Sequence, residues 1–555
     1  MFRRALIATA CAGSAIALYA CGGTDSNTPV TSQNALQTAT PIKHLVVIYG
    51  ENVSFDHYFG TYPNATNPPG EPAFSAASGT PSVNGLSGLL LTTNPNATNP
   101  ANGTGATNPF RLDRTQAATA DQNHAYTAEE QAYDNGLADL FPKYTGNGSS
   151  GGAGAFGTTG QVMGYFDGNT VTALWNYAQR FAMSDNAYTS TYGPSTPGAL
   201  NVIAGQTDGM QIVKTSKAVS TLAKTSYYIN DGQGGLTMIN DVDPGYDVCS
   251  STTDQAMMSG KNIGDLLNAR NVTWGGFMGG FNLQTTNANG TTGCKRSTIA
   301  TAVNAATSDY IPHHNWFQYY ASTANPQHTR PSSIAAIGSS VETDGKTPEP
   351  ANHQYDSDDF FAAVKAGNFP SVSFLKAPAA QDAHAGYSDP LDEQQFVTKV
   401  VNFLQQQPDW ANTAVIITYD DSDGWYDHAY TAPTRASFDA VDQLNGNGVC
   451  GSGTATTGVG GAPVNGRCGP GTRIPFVVVS PWAKQNYVSH TLIDQASVVR
   501  FIEDNWLGGQ RIGGGSFDAT AGDMRDLFDF SGTVNKAPLY LDPALGTKLA
   551  TAPSI

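Results

Sequence analysis

The chain has 555 residues, 40% of them hydrophobic, which is enough apolar material for one large core or two smaller ones and excludes disorder as the default. A formal charge of −17 excludes a general nucleic-acid binder, which needs a basic face for phosphates. An anionic ligand would need its positive charge supplied locally, from a metal ion or histidines.

Met1 to Arg4 carries two arginines, and Ala5 to Ala20 is apolar or small almost throughout. That run is too short for a comfortable membrane span and reads as a signal peptide. It closes on Leu18-Tyr19-Ala20-Cys21-Gly22, similar to a bacterial lipobox with Cys21 as the lipidated residue. The expected layout is therefore a leader at 1–21, a polar linker at 22–40, a catalytic domain at 41–535 and a tail at 536–555. The expected location is outside the cytoplasm: periplasmic or anchored at the outer membrane through the lipid, or secreted. Four cysteines remain in the mature chain: Cys249, Cys294, Cys450 and Cys468. In an exported protein they suggest two disulfides. Sequence neighbours would pair 249 with 294 and 450 with 468, but three connectivities are open.

Three apolar, β-branched runs read as buried strands: His44–Tyr49, Ala414–Tyr419 and Ile474–Val479. Amphipathic stripes mark helices between and after them, at Val171–Phe181, Phe396–Leu404 and Ile493–Trp506. The alternation predicts an α/β fold, a doubly wound and mostly parallel sheet with helices on both faces and long loop insertions. Residues 63–109 repeat Asn-Ala-Thr-Asn-Pro at 64–68 and 96–100 and read as a surface excursion, as do Gly146–Gly160 and Gly446–Gly466.

In open α/β sheets ligands sit beyond the carboxyl ends of strands. The first strand runs into Gly50-Glu51-Asn52, the second into Asp420-Asp421-Ser422-Asp423. Carboxylate and amide oxygens suit hard cations, and packed carboxylates repel unless a cation offsets them. Glu51, Asn52, Asp420 and Asp421 are thus candidate ligands for one divalent ion; oxygen donors alone allow calcium, magnesium, manganese or iron.

Glu51-Asn52-x-Ser54-Phe55-Asp56-His57-Tyr58-Phe59-Gly60, Tyr192-Gly193-Pro194-Ser195-Thr196-Pro197, Thr418–Asp421 through Asp427-His428, Gly471–Phe476 and Ser480-Pro481-Trp482 occur in order along about residues 42–506. As a set they resemble the bacterial phosphoesterases that comprise phospholipases C and acid phosphatases, a family similar in fold to the alkaline-phosphatase superfamily. The resemblance implies that Ser195 is the nucleophile and that its oxygen joins Glu51, Asn52, Asp420 and Asp421 on the metal. It implies that His124, His313, His314 and His384 contact phosphoryl oxygens or protonate the leaving group. Of the adjacent pair, His314 is the stronger candidate for the pocket. His57 and His428, each following an aspartate, read as structural.

The expected activity is a broad-specificity acid phosphatase working through a phosphoseryl enzyme. That choice rests on the polar character of 63–109 and on the short stretch after the last matching motif, where many phospholipases C of this family carry further domains. A phospholipase C cleaving phospholipid head groups is the alternative, and a non-catalytic surface lipoprotein the other. A sulfatase is disfavoured because Ser195-Thr196-Pro197-Gly198-Ala199 lacks the arginine of the sulfatase motif.

Overall fold

The computed structural model describes residues 33–147, 157–214, 227–301 and 303–554. The expected leader, Cys21 and most of the linker lie outside the described residues. At the centre is an eight-stranded sheet of β1 (His44–Gly50), β2 (Ala182–Ser184), β3 (Trp274–Met278), β4 (Gln354–Asp356), β5 (Val372–Lys376), β6 (Thr413–Tyr419), β7 (Phe476–Val479) and β8 (Tyr487–Ser489), ordered β4-β3-β5-β1-β6-β7-β2-β8. The apolar runs of β1 and β6 are buried along their whole length because helices cover both sides.

The side chains show which helix lies where. Tyr49 of β1 donates its hydroxyl to the Gly198 carbonyl of α4 (Ser195–Ala204), 2.8 Å away. Tyr419, at the next register position on β6, points to the opposite face and hydrogen-bonds Glu393 of α6 (Pro390–Leu404). Helix α7 (Ala496–Trp506) follows Gln495, whose amide donates to the Tyr49 hydroxyl at 2.9 Å, so α7 lies on the α4 side. The remaining helices used below are α1 (Phe55–Phe59), α2 (Tyr126–Tyr133), α3 (Thr172–Arg180) and α5 (Ser357–Lys365). The stripes read at 171–181, 396–404 and 493–506 correspond to α3, α6 and α7.

The sheet is mostly parallel, as expected; the exception is β7, which runs antiparallel between β6 and β2. A continuous apolar run reports burial on two faces and carries no information on direction. The 63–109 stretch contributes nothing to the central sheet and exposes Asn64, Asn67 and Asn84, but it buries Asn94, Asn96 and Asn102. Asn96 donates to the Ala138 carbonyl at 2.7 Å and accepts from Phe141 N at 3.0 Å, and Asn102 donates to the Asp139 carbonyl at 2.8 Å. The second copy of the repeat and Asn102 thus hold the 138–141 segment, while Asn67 of the first copy bonds Phe74 and Asn169. Residues of the C-terminal stretch dock on α6: Asn402 pairs with both backbone groups of Leu541, and Gln405 with both of Leu539. The cysteines pair as 249–294 and 450–468. No helix among the described residues is long and apolar enough to cross a membrane.

Candidate active site

The central parallel trio β5-β1-β6 sets the site. Its register pairs Gly50 with Tyr419 and Ile48 with Leu375, so Glu51, Asp420 and Lys376 emerge side by side at the carboxyl edge. Helix α4 is pressed against this edge: a Cβ on Gly198 would stand 2.2 Å from the Asp420 carbonyl oxygen, so only glycine fits. The turn that delivers Ser195 to the first position of α4 has Gly193 at φ 112, a conformation natural to glycine. Glu129 of α2 fixes this turn from below, accepting from Gly193 N at 2.9 Å and from Ser422 Oγ at 2.8 Å.

Ser195 Oγ lies 3.0 Å from Glu51 Oε2 and 3.3 Å from Asp421 Oδ2, and all three side chains are buried. Asn52, at φ 56, places its N–H 3.0 Å from Asp420 Oδ1. One end of its amide lies 2.7 Å from Glu51 Oε2 and 3.2 Å from Asp420 Oδ1, and the other lies 3.1 Å from His384 Nε2. With a cation in the acidic cluster the amide oxygen belongs at the first end; without one the NH2 does.

The histidines ring this core. His314 Nδ1 is 3.2 Å from Glu51 Oε1; His124 Nδ1 is 3.2 Å from Asp423 Oδ1; His384 stacks on Tyr387 at 4.4 Å. His313 packs edge-on against His314 but points elsewhere, to Asp243. All the candidate ligands and histidines thus converge, with His313 at the margin. His57 stacks on Trp425 and bonds the Gly164 carbonyl; burial pushes its pKa down to about 3, so it is a neutral packing residue. His428 pairs with Asp56, and Arg473 bridges Asp56 and Asp427, tying the two acidic loops together.

Electrostatics explain what such a cluster needs. Burial first, and then the Asp420 charge, push the Glu51 and Asp421 carboxyls well up. Asp420 is held low: burial opposes ionisation, but Lys376 and hydrogen bonds from Asn52 and Asp421 N–H outweigh it. For His124, burial favours the neutral ring, yet Asp421, Asp423 and Asp121 together raise its pKa well above the ordinary value. His314 is driven the other way, by burial and then by the charges of His313 and Lys376.

A model of the phosphoesterase family matches residues 42–507. The chain belongs to the phosphoesterase family. Among its relatives, the non-hemolytic phospholipase C of Burkholderia pseudomallei is 25% identical over 515 residues, 89% of this chain and 60% of its own. Phospholipase C A of Mycobacterium tuberculosis is 24% identical over 518 residues, 91% of this chain and 81% of its own. The hemolytic phospholipase C of Pseudomonas aeruginosa is 34% identical over 170 residues, 30% of this chain and only 22% of that protein. A solved structure described as a protein in the alkaline phosphatase superfamily from Vibrio parahaemolyticus covers 63% of this chain and 62% of its own at 12% identity, with a TM-score of 0.26.

The residues of this phosphoesterase fit a bound cation. Glu51, Asp420 and Asp421 bring three carboxylates against one buried ammonium, Lys376, which pairs with Glu51. Asp420 Oδ2 is buried without a hydrogen-bond partner, and carboxylate oxygens suit a hard cation. A second group, Asp121, His124, His384 and Asp423, brings ligand-type atoms within 4.8 Å of one another beside Asn52. Sequence reasoning missed Lys376, Asp423 and Glu129. Asp423 was visible in the 420–427 run. Lys376 was not: a lysine ending an apolar strand ordinarily points to water.

Proposed function

We propose that this phosphoesterase hydrolyses phosphoric esters through a phosphoryl group carried on Ser195, and that its substrates are phospholipid-type phosphodiesters. The observation that carries the reading is the buried contact of Ser195 Oγ with Glu51 and Asp421 at adjacent strand ends. The diester preference is supported by the phospholipases C that match 89% and 91% of the chain; with them the acid-phosphatase expectation loses its place as the first reading.

Glu51, Asn52, Asp420, Asp421 and the Ser195 oxygen would hold one divalent ion, which when bound lowers the pKa of a hydroxyl and offsets phosphoryl charge. The chain's own residues do the rest. Gly193 and Glu129 aim Ser195, and α4 packed against the Asp420 carbonyl fixes its distance from the carboxylates. His124, held charged by its aspartates, donates to phosphoryl oxygens. A cavity of about 380 Å³ beside His124, lined also by Asp121, Asn147, Pro194, Asn240 and Asp241, offers room for the ester. The leader and the two disulfides support export of the mature protein.

The test is hydrolysis by the purified mature protein of phosphatidylcholine vesicles, 4-nitrophenyl phosphocholine, 4-nitrophenyl phosphate and a sulfate ester, beside Ser195→Ala. Turnover of both phosphocholine esters in preference to the monoester, lost in the variant, is expected. Preference for the monoester would restore the phosphatase reading, and no turnover of any ester would sink the enzymatic one.

A further inference from the structure

One loop holds apolar side chains out in solvent on a rigid base. Tyr246 keeps 66% of its exposure and Val248 49%, while Asp247 between them is buried. Four groups fix that carboxylate. The Tyr310 hydroxyl donates to it at 2.8 Å, the Gln318 amide at 2.6 Å and Cys249 N at 2.8 Å, and His328 Nε2 lies 3.0 Å away. The Cys249–Cys294 disulfide staples the loop further, and Val248 N donates to the Pro326 carbonyl at 2.9 Å. Tyr246 sits at φ 65, a conformation that a bulky residue keeps only where its surroundings impose it. An apolar side chain exposed singly needs no explanation; two held out by one buried anchor do. Beyond the disulfide, Ile299 is 51% exposed on a hairpin (Ser297–Ala300 paired with Ala305–Ser308), and Ala306, its partner on the same face, is exposed too.

The loop grows out of the active-site wall. Asp241 lines the cavity beside His124 and accepts from Thr196 N, next to Ser195, at 2.8 Å. Tyr246 follows five residues later, a reach of at most about 18 Å. The charge of this segment selects its partner. Residues 240–254 contain Asp241, Asp243, Asp247 and Asp254 and no lysine or arginine. Across the disulfide, Lys295 is an exposed cation, but Arg296 is occupied by Asp309 and Asp356. Segments that recruit a protein to anionic lipid are polybasic, the reverse of this loop. A zwitterionic surface carries its ammonium groups outermost, and these an acidic loop attracts.

We propose that Tyr246 and Val248, with Ile299 joined to them through the disulfide, seat the protein on a zwitterionic phospholipid surface and bring head groups to the Ser195 cavity. The inference rests on the phosphodiester reading above for its substrate; the docking itself needs no turnover. The apolar side chains enter the interface, the aspartates at the base of the loop meet the ammonium layer, and Asp247 with the disulfide keeps the loop from folding back. The apolar contact that the polar 63–109 stretch does not offer is supplied here by a different loop.

The test floats phosphatidylcholine vesicles with Ser195→Ala protein, so that no lipid is consumed, and carries Cys21→Ser throughout, so that no acyl chain contributes. Tyr246→Ser combined with Val248→Ser is expected to weaken vesicle binding ~10-fold or more, the effect of withdrawing even one such side chain from an apolar phase. With Ser195 in place, the same pair should lower turnover of vesicle phosphatidylcholine by a similar factor and leave soluble 4-nitrophenyl phosphocholine unchanged, which also reports intact folding. Ile334→Ser is the control: it is 49% exposed but lies at the amino edge of the sheet, where the nearby Gly338 carbonyl accepts from Trp274 N at the start of β3, and it should lose nothing. Unchanged vesicle binding in the double variant, an equal loss on the soluble ester, or tighter binding to anionic than to zwitterionic vesicles would overturn the proposal. A wild-type dimer that the double variant dissolves would also overturn it, by making the patch an interface between copies. Wild-type protein that binds vesicles through these residues but turns over neither ester would support the docking and overturn the Ser195 reading instead.

Discussion

Gly198→Ala tests how closely the nucleophile helix must approach the metal loop. The new methyl carbon would sit 2.2 Å from the Asp420 carbonyl oxygen, with Asp420 C at 2.7 Å and Cα at 2.9 Å. These are backbone atoms at the end of a buried central strand and cannot rotate away. Restoring ordinary contact near 3.4 Å requires about 1.2 Å of separation, and Ser195 lies on the first turn of the same helix. A shift of that size breaks the 3.0 Å and 3.3 Å contacts of Ser195 Oγ with Glu51 and Asp421. Misplacement by about 1 Å costs on the order of 100-fold in rate, and overpacking a core costs about 1–3 kcal/mol of stability. Steady-state kinetics on 4-nitrophenyl phosphocholine and thermal melting report both, with Gly460→Ala as control because nothing lies within 4 Å of its Cβ position. Gly198→Ala with wild-type kcat and an unchanged melting temperature would refute the packing argument.

Removing the ion with a chelator should abolish turnover, with recovery when one divalent metal is restored; elemental analysis should find that metal lost in Asp420→Asn. Lys376→Met leaves the Glu51 carboxylate without its buried partner, and breaking such a pair costs about 3–5 kcal/mol, read by denaturant unfolding. Away from the site, burial and then the neighbouring Asp518 push Glu503 to about 9. Because this folded pKa is raised, the stability it contributes is full below the unfolded value near 4.5 and is lost as pH rises through about 9. Glu503→Gln, a mimic of the protonated side chain, should therefore melt like wild type at pH 5 and flatten the alkaline decline; an unchanged decline would refute the assignment.

The strands that build the site were legible because β1 and β6 are long apolar runs that end abruptly in acids. Ser195 was legible only within its ordered company of motifs, since a serine between prolines is ordinarily a turn. What stayed hidden depended on pairing across the chain. Lys376 is recognisable only once β5 is known to lie beside β1, and Asp243 only once a distant loop is seen to reach His313. The antiparallel β7 was hidden because burial and direction are separate properties. The asparagine repeat at 63–109 reads as an excursion outside the sheet, but that its second copy binds buried backbone groups of a distant segment was not legible.

The central claim is that Ser195 carries the phosphoryl group. Mixing enzyme with a nitrophenyl ester, quenching in acid within the first turnover and mapping the peptides by mass spectrometry tests it directly. The account predicts one phosphoryl group on the peptide containing Ser195, and neither that adduct nor turnover in Ser195→Ala. Wild-type turnover in Ser195→Ala, or a phosphoryl group found on another residue, would contradict it.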